Sequence, residues 1–502
     1  MSDYKLFING EYTEAASGEA FPTTNPATGA KIGDVAKAGK EDAVKAMEAA
    51  RKAFDEGPWP KMSGKERAEK VRRIAELIGQ KSAQFAEMES KDSGGTMRKA
   101  QLADVNGAIE AYNWYAGCAE GDDIETLPGS PFPPSENYIR YEPYGVTTGI
   151  IPFNFPFIMA AWKIAPSIAA GNTCVIKPAS LTSITALMLG EVMQEAEIPP
   201  GVVNIIAGPG ATAGEELAVN PMVDKTAFTG STEVGKRIMQ LASGTVKAVT
   251  LELGGKSANI VLPDADLDVA AAGVLFGTFM HNGQVCESGT RALVHRSVYD
   301  EFIGMLAERA NKMVIGDPLD FATDLGPLVS RSQVETVERY VALGREEVGE
   351  PICGGSKPDN LAEGLDRDAF YLPTIFAGVP NSAKIAQEEI FGPVLCVIPF
   401  DSDDEAVAIA NDSIYGLGGG VWSTDIDRAK KVAHGMQTGT VWINDYHLLS
   451  SQRPFGGYKQ SGIGRELGIQ GFNAYRQIKH VHVNPQTDRG GHMHYAMLSS
   501  AL

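Results

Sequence analysis

From Tyr144 onward the chain alternates short apolar runs with stretches of helical length, and no other feature constrains its fold as strongly. Runs at 146–151 and 173–176 flank a helical 157–170. Helix 184–196, strand 202–206, helix 213–219, strand 225–228 and helix 233–243 follow. Strands separated by helices of about ten to fifteen residues are joined by crossovers, so they predict a parallel sheet with helices on both faces. The alternation resumes after Glu252 with strand 258–262, helix 269–280, strand 292–295 and helix 298–311. At roughly 100–200 residues per domain, 502 residues make two or three domains. The predicted fold class is α/β, with two doubly wound parallel sheets.

The flanking segments differ. Residues 5–10 and 25–29 read as strand and turn, with Asn9-Gly10 a hairpin signal. Helices are predicted over 42–54, over 64–80 with Ala68, Val71, Ile74, Ala75 and Ile78 on one face, and over 97–118. Residues 121–142 carry Pro128, Gly129, Pro131, Pro133 and Pro134 before a strand-like 138–141, and read as an arm that leaves a domain and returns. The boundaries expected are 1–122 with 142–254 for a nucleotide-binding domain, 255–450 for a second domain, and 451–474 returning to the first. Residues 123–141 and 475–502 form an arm and a tail.

Lys plus Arg number 44 and Asp plus Glu 63, a net charge of −19. That field repels polyanions and argues against nucleic acid or an anionic membrane as partner, though not against one anionic ligand in a local pocket. Five scattered cysteines (Cys118, Cys174, Cys286, Cys353, Cys396) make neither a disulfide framework nor a zinc site, so a reducing, cytoplasmic setting and no metal are expected. Residues 1–5 show no signal-peptide pattern. The most apolar tract, 144–176, is broken by Pro152, Asn154, Pro156, Lys163, Pro166 and Asn172 and is no membrane span.

Ligands of a parallel sheet bind at the carboxyl ends of its strands, so the loops there carry the chemistry. The glycine-rich turn from Gly208 has Ala213 at the third glycine position and alone reads as a tight turn. GSTEVGKR from Gly230 nearly matches a P-loop. Arg237 replaces the magnesium-holding hydroxyl and Glu233 adds a negative charge, so NTP hydrolysis is excluded while a nucleotide at the helix N-terminus stays open. Glu252, in LELGGK, is an edge-strand carboxylate or a buried general base. Asn154, in PFNFP, is a turn-stabilising amide or an oxyanion donor. Cys286, in a polar, glycine-flanked loop, is a structural thiol or a nucleophile. Glu287 beside it disfavours the thiolate if it points inward.

In order, PFNFP, KPAS, FTGSTEVGK, ELGGKS, GQVCESGTR, EEIFGPV and PFGGYKQSG resemble the NAD(P)-dependent aldehyde dehydrogenase superfamily, over nearly the whole chain. The resemblance implies a Rossmann-like cofactor domain, a catalytic domain and a β-strand oligomerisation arm. It implies that Cys286 adds to an aldehyde to form a thiohemiacetal. Asn154 and the Cys286 N–H would form the oxyanion hole, hydride would pass to nicotinamide, and Glu252 would activate water to hydrolyse the thioester. Lys163 and Glu466 match positions of proton relay and support.

The same resemblance assigns Lys177 to the adenosine ribose, Gly208 to the adenine, Gly230 and Ser231 to the pyrophosphate, and Glu389 and Phe391 to the nicotinamide riboside. Ile150, Ile151, Pro152 and Phe153, with Phe228, Val234, Leu253 and Gly254, complete the cofactor cleft beside Asn154, Glu252 and Cys286. Ser180 stands where a glutamate often binds the ribose 2′-hydroxyl, so NAD and NADP both remain open. Retention of Glu252 argues against transfer to coenzyme A, and the intact Cys286, Glu252 and Asn154 against a catalytically silent homologue.

The resemblance also implies a substrate tunnel lined by Phe155, Met159, Trp162, Leu448, Leu449 and Phe455, an apolar and aromatic lining that suits aliphatic or aromatic aldehydes. Arg453 keeps a semialdehyde in play as the alternative. His447 reads as a tunnel-mouth residue or a surface histidine. By the same resemblance the arm and residues 475–502 match oligomerisation elements and imply a homodimer or homotetramer; such strands would leave an exposed edge in a monomer. The tail from His492, apolar at its end, is expected to pack on another subunit.

Overall fold

The structure, a computed structural model, describes residues 1–131, 134–488 and 492–498. At its centre is the strand Val146–Ile150, buried along its whole length. It pairs in parallel with Lys225–Thr229 on one side and Thr173–Lys177 on the other. The complete sheet runs Gly462–Ile463, Ala248–Glu252, Lys225–Thr229, Val146–Ile150, Thr173–Lys177, Val203–Ile205, Leu6–Ile8, Glu11–Thr13. Its five inner strands are parallel. Antiparallel edges close it, the hairpin through Asn9-Gly10 at one side and Gly462–Ile463 against Leu251 and Glu252 at the other. Register pairs Ile150 with Lys177 and Thr229 with Glu252. These four residues end their strands at one edge of the sheet, where its ligands bind.

The second sheet is wholly parallel, in the order Thr374–Ala377, Val394–Phe400, Arg291–His295, Ala258–Val261, Gly418–Trp422, Thr440–Ile443. Gly254 and Gly255 lead from the carboxyl end of Ala248–Glu252 into the amino end of Ala258–Val261. Cys286 precedes Arg291–His295, and Glu389 precedes Val394–Phe400. The second sheet therefore contributes its amino-terminal edge to the cleft, and the first its carboxyl-terminal edge. The α/β class with two doubly wound sheets is thus observed.

Two helical features depart from expectation. Ser82–Ser93 is a helix that the apolar pattern does not reveal, because Glu89, Ser90, Asp92 and Ser93 occupy its buried side. The predicted helix 97–118 is interrupted by a π-helical turn over Ala100–Val105, between Met97–Lys99 and Asn106–Ala119. Buried Lys99 donates to buried Asp104 across that turn at 2.8 Å. Polar burial of this kind is tolerated only when paired, and a π-turn often marks a functional wall.

The arm forms a separate antiparallel sheet of Ile124–Leu127, Glu136–Pro143 and Arg476–Val483. A short helix, Met493–Met497, follows. Pro133 of the arm and the apolar end of the tail, 499–502, lie outside the described residues. Among the described residues no helix is long and apolar enough to cross a membrane.

Candidate active site

A cavity of about 1570 Å³ opens between the facing edges of the two sheets. Ile150, Ile151, Pro152, Phe153, Asn154, Lys177, Ser180, Phe228, Gly230, Ser231, Val234, Leu253, Gly254, Glu389 and Phe391 line it. So do Cys286, Glu252, Glu466 and the proposed tunnel residues Phe155, Met159, Trp162, Leu448, Leu449 and Phe455. Three expected residues do not. Gly208 sits behind the wall, where its carbonyl accepts from Lys177 Nζ at 3.1 Å and a Cβ would meet Ala38 O at 2.3 Å. Lys163 is buried beneath the floor. Arg453 is exposed at the surface, because the turn that carries it directs it out of the cavity.

The loop bearing Cys286 is held from several sides. His281 and Asn282 adopt left-handed backbone conformations (φ 50° and 57°). Asn282 Nδ2 donates to Gly326 O and Pro327 O at 2.8 and 2.9 Å. Gln284 donates to His281 O at 3.1 Å and accepts from Val329 N at 3.0 Å. A Cβ on Gly283 would stand 2.2 Å from Gly392 O, so the turn admits only glycine. Asn154 Nδ2 spends one N–H on Gln284 O at 2.7 Å and has a second to offer. The Cys286 N–H meets no acceptor among the described residues. Two donors are thereby free beside the sulfur. Its thiol is held well above the usual value, first by burial and then by Glu287. Glu287 does point inward: Cys286 Sγ lies 3.1 Å from Glu287 Oε2.

Glu252 closes the last parallel strand of the first sheet. Neither of its oxygens has a hydrogen-bond partner of normal geometry, Gly457 N–H facing it only loosely. Burial, then the nearby Glu466, raises its pKa well above the carboxylate range, with Lys163 opposing. Lys163 projects from helix Pro156–Ala169, which is buried all round. Its Nζ donates to Thr229 Oγ1 at 2.7 Å and pairs with Glu466. Lys163 therefore acts on Glu252 through charge rather than by contact with the cavity's contents, whereas Glu466 both lines the cavity and acts on Glu252 through charge.

The nucleotide wall fits a dinucleotide. Helix Thr232–Ala242 opens on Ser231, whose Oγ accepts from Val234 N at 3.4 Å, and its first turn faces the cavity. A Cβ on Gly230 would stand 2.6 Å from the Phe228 ring, so that turn is closely packed. Such a terminus presents backbone donors to a phosphate. Lys177 Nζ is buried on Pro178 O and Gly208 O, and burial pulls it down to about 8. Glu389 Oε1 accepts from Gly255 N at 3.1 Å, and burial raises its carboxyl to about 7. Phe391 is held at φ 57° by Gln333 Nε2, which donates to Phe391 O at 2.9 Å, and its ring meets Phe153 edge-on at 5.5 Å.

Sequence reasoning missed the anchors Gln284, Asn282 and Gln333, whose partners lie far along the chain. It also left His447 open. The His447 side chain is only 2% exposed, so the surface reading is corrected.

Fold and cleft together define a two-sheet α/β protein with a dinucleotide-sized site and a cysteine inside it. The sequence profile of the aldehyde dehydrogenase family matches residues 12–481. The chain is 46% identical to betaine aldehyde dehydrogenase of Bacillus subtilis (strain 168) over 479 residues, 95% of this chain and 97% of that one. It is 43% identical to human mitochondrial aldehyde dehydrogenase, covering 95% of this chain and 92% of that one. Among solved structures, betaine aldehyde dehydrogenase from Staphylococcus aureus in complex with NAD+ superposes with a TM-score of 0.94 at 39% identity, covering 97% and 96%. An NAD+ complex of aldehyde dehydrogenase from Bacillus cereus gives 0.93 at 42%, covering 96% and 97%. The chain belongs to the aldehyde dehydrogenase family. It is an NAD(P)+-dependent aldehyde oxidoreductase.

Proposed function

We propose that the protein oxidises aliphatic or aromatic aldehydes to carboxylic acids, with Cys286 as nucleophile and Glu252 as the base of hydrolysis. Cys286 sulfur adds to the carbonyl carbon, and the oxyanion that forms receives the second Asn154 N–H and the Cys286 N–H. Lys177, the Ser231 helix terminus and Glu389 would hold NAD(P)+, which when bound would supply the hydride acceptor that lets the adduct on Cys286 collapse to a thioester. Glu252 then takes a proton from water, which attacks the thioester. The C–S bond breaks and the acid departs. The observation that carries the hydrolytic reading is a lone, buried, unpartnered carboxylate on the cavity wall.

The substrate class rests on the lining. Trp162 and Phe455 lie 6.1 Å apart, with Phe155, Met159 and Leu449 nearby on the same cavity. The lysines and arginines lining the cavity are engaged elsewhere: Arg98 with Asp324, Arg237 with Glu215, Arg309 with Asp268, Lys99 with Asp104, and Lys177 with the Pro178 and Gly208 carbonyls. With Arg453 outside, a semialdehyde's carboxylate finds no free partner there. A quaternary ammonium aldehyde, suggested by the names of the relatives, would instead use the π faces of Trp162 and Phe455. The domain boundaries given above, a homodimer or homotetramer built through the arm, and a cytoplasmic setting belong to the same proposal. Five free cysteines support the last of these.

The test is absorbance at 340 nm with NAD+ and NADP+ separately, against acetaldehyde, hexanal, benzaldehyde, betaine aldehyde and succinic semialdehyde, without coenzyme A. Fastest turnover with hexanal or benzaldehyde is expected. Preference for succinic semialdehyde, or a requirement for coenzyme A, overturns the reading.

A further inference from the structure

Cys286 has a second carboxylate as its immediate neighbour, and that carboxylate is itself held. Glu287 Oε2 lies 3.1 Å from the sulfur, and Glu287 Oε1 lies 3.1 Å from His447 Nδ1. The other ring nitrogen, Nε2, lies 3.1 Å from Gly277 O. Both nitrogens therefore face oxygen acceptors. The ring thus bridges the Glu287 carboxylate and the Gly277 carbonyl. Both side chains are almost fully enclosed, 2% and 6% exposed. The His447 ring is wedged edge-on between Phe276 and Tyr446, at 5.3 and 4.9 Å. Tyr446 Oη donates to the Glu287 carbonyl at 2.8 Å, so the backbone of the pair is fixed too. The result is a thiol–carboxylate–imidazole chain across two loops 160 residues apart.

We propose that Glu287, oriented by His447, takes the proton of the Cys286 thiol as its sulfur adds to the aldehyde. The inference rests on the assignment of Cys286 as nucleophile. The S–H bond breaks as the C–S bond forms. The electron pair of the carbonyl moves to oxygen, and the proton goes to Glu287 Oε2. Glu252 is less suited to that step, because burial, then the nearby Glu466, raises its pKa and disfavours its charged form. Glu287 is ready for it: the His447 contact holds its carboxyl below the usual range in spite of burial. Two carboxylates thus divide two proton transfers, Glu287 for addition and Glu252 for hydrolysis. The charged groups facing the thiol are Glu287 from its own loop, Glu252 from the first sheet and Glu389 from the loop before Val394. His447 and Tyr446 face Glu287 from the loop after Thr440–Ile443.

The rate of Cys286 alkylation by iodoacetamide, followed against pH in the full-length protein, tests this without aldehyde or cofactor. Failure of the aldehyde-oxidation reading would appear separately, as no signal at 340 nm. A proton acceptor and a mere neighbouring anion predict opposite signs. If Glu287 accepts the proton, Glu287→Gln slows alkylation at pH 7 roughly a hundredfold and abolishes the fall in rate on the acid side. If it is only an anion, its removal lowers the thiol pKa and speeds alkylation, which overturns the proposal. His447→Gln provides a second reading should Glu287→Gln fail to fold. Glu287 without the His447 contact protonates at higher pH, so the acid-side fall moves up. An unmoved profile overturns the proposal as well.

Discussion

Gly254 and Glu389 share a space that a side chain would fill: a Cβ on Gly254 would stand 2.2 Å from Glu389 Oε2. Gly255 N–H holds the other oxygen, and Ser461 Oγ fixes the Gly254 carbonyl at 2.7 Å. The glycine cannot retreat, so Gly254→Ala displaces the Glu389 carboxylate from the cofactor wall. We expect the Kd for NAD+, read by quenching of protein fluorescence, to rise about tenfold or more, corresponding to roughly 1.4 kcal/mol of lost binding.

Glu252 is a base whose charged form is disfavoured by burial and then by Glu466. Its folded pKa is raised, so the competent form appears only as pH rises through that value, and hydrolysis falls away on the acid side. Glu252→Gln removes the base while leaving Cys286 and Glu287 in place. A pre-steady-state burst of NAD(P)H should survive, followed by a steady phase roughly a hundredfold slower than in the parent. A variant whose steady phase matches the parent would remove Glu252 from the rate-limiting hydrolysis.

Ser180 lines the same cavity as Lys177, Glu215 and Arg237. Arg237 is already bound to Glu215 through two contacts, at 3.0 and 3.1 Å. Ser180→Glu adds an anion where a 2′-phosphate would lie and leaves an acceptor for a 2′-hydroxyl. The ratio of kcat/KM for NAD+ over NADP+ should increase by about tenfold or more, through KM for NADP+.

Much of this architecture could be read in the chain, and the unread parts share a cause. The strand–helix alternation survives because apolar periodicity records burial directly. Cys286, Glu252 and Asn154 were recognisable from the order of their motifs. The helix Ser82–Ser93 was hidden because its inner face is polar and satisfied by side chains far away, Thr185 on Glu89 and Thr23 on Asp92. Glu287 was legible only as a local anion, since the histidine that gives it a role is 160 residues distant. Arg453 was misjudged because a turn residue's direction depends on backbone geometry that sequence spacing does not encode.

Asp92 makes stability itself depend on pH. It is almost fully buried and accepts from Ile184 N at 3.0 Å and Thr23 Oγ1 at 2.9 Å, yet burial still lifts it to about 7. Its folded value lies above its unfolded one, near 4. Its contribution is therefore whole below about pH 4 and declines as the pH climbs towards 7. An asparagine side chain at this position has no proton to lose. Chemical denaturation of Asp92→Asn should show it gaining on the parent between pH 5 and pH 8, by on the order of a few kcal/mol at most. A difference independent of pH would mean that Asp92 is already ionised in the fold.

The arm offers the last test, because its sheet has edges that nothing among the described residues covers. Arg476–Val483 pairs with Glu136–Pro143 along one side only. Ile478 and Ile124 on that small sheet are 64% and 57% exposed, on a chain that buries most of its isoleucines. An open strand bearing exposed isoleucine invites addition of a neighbour's strand, and single chains usually blunt such edges with charge. Light scattering should give the parent a mass two or four times that of the chain. Ile478→Lys places charge on the exposed face and should shift the population towards monomer at micromolar concentration. The cavity lies between the two large sheets and takes no residue from the arm, so the monomer should retain cofactor binding. A parent that is monomeric, or a variant whose mass is unchanged, would mean that assembly does not run through this strand.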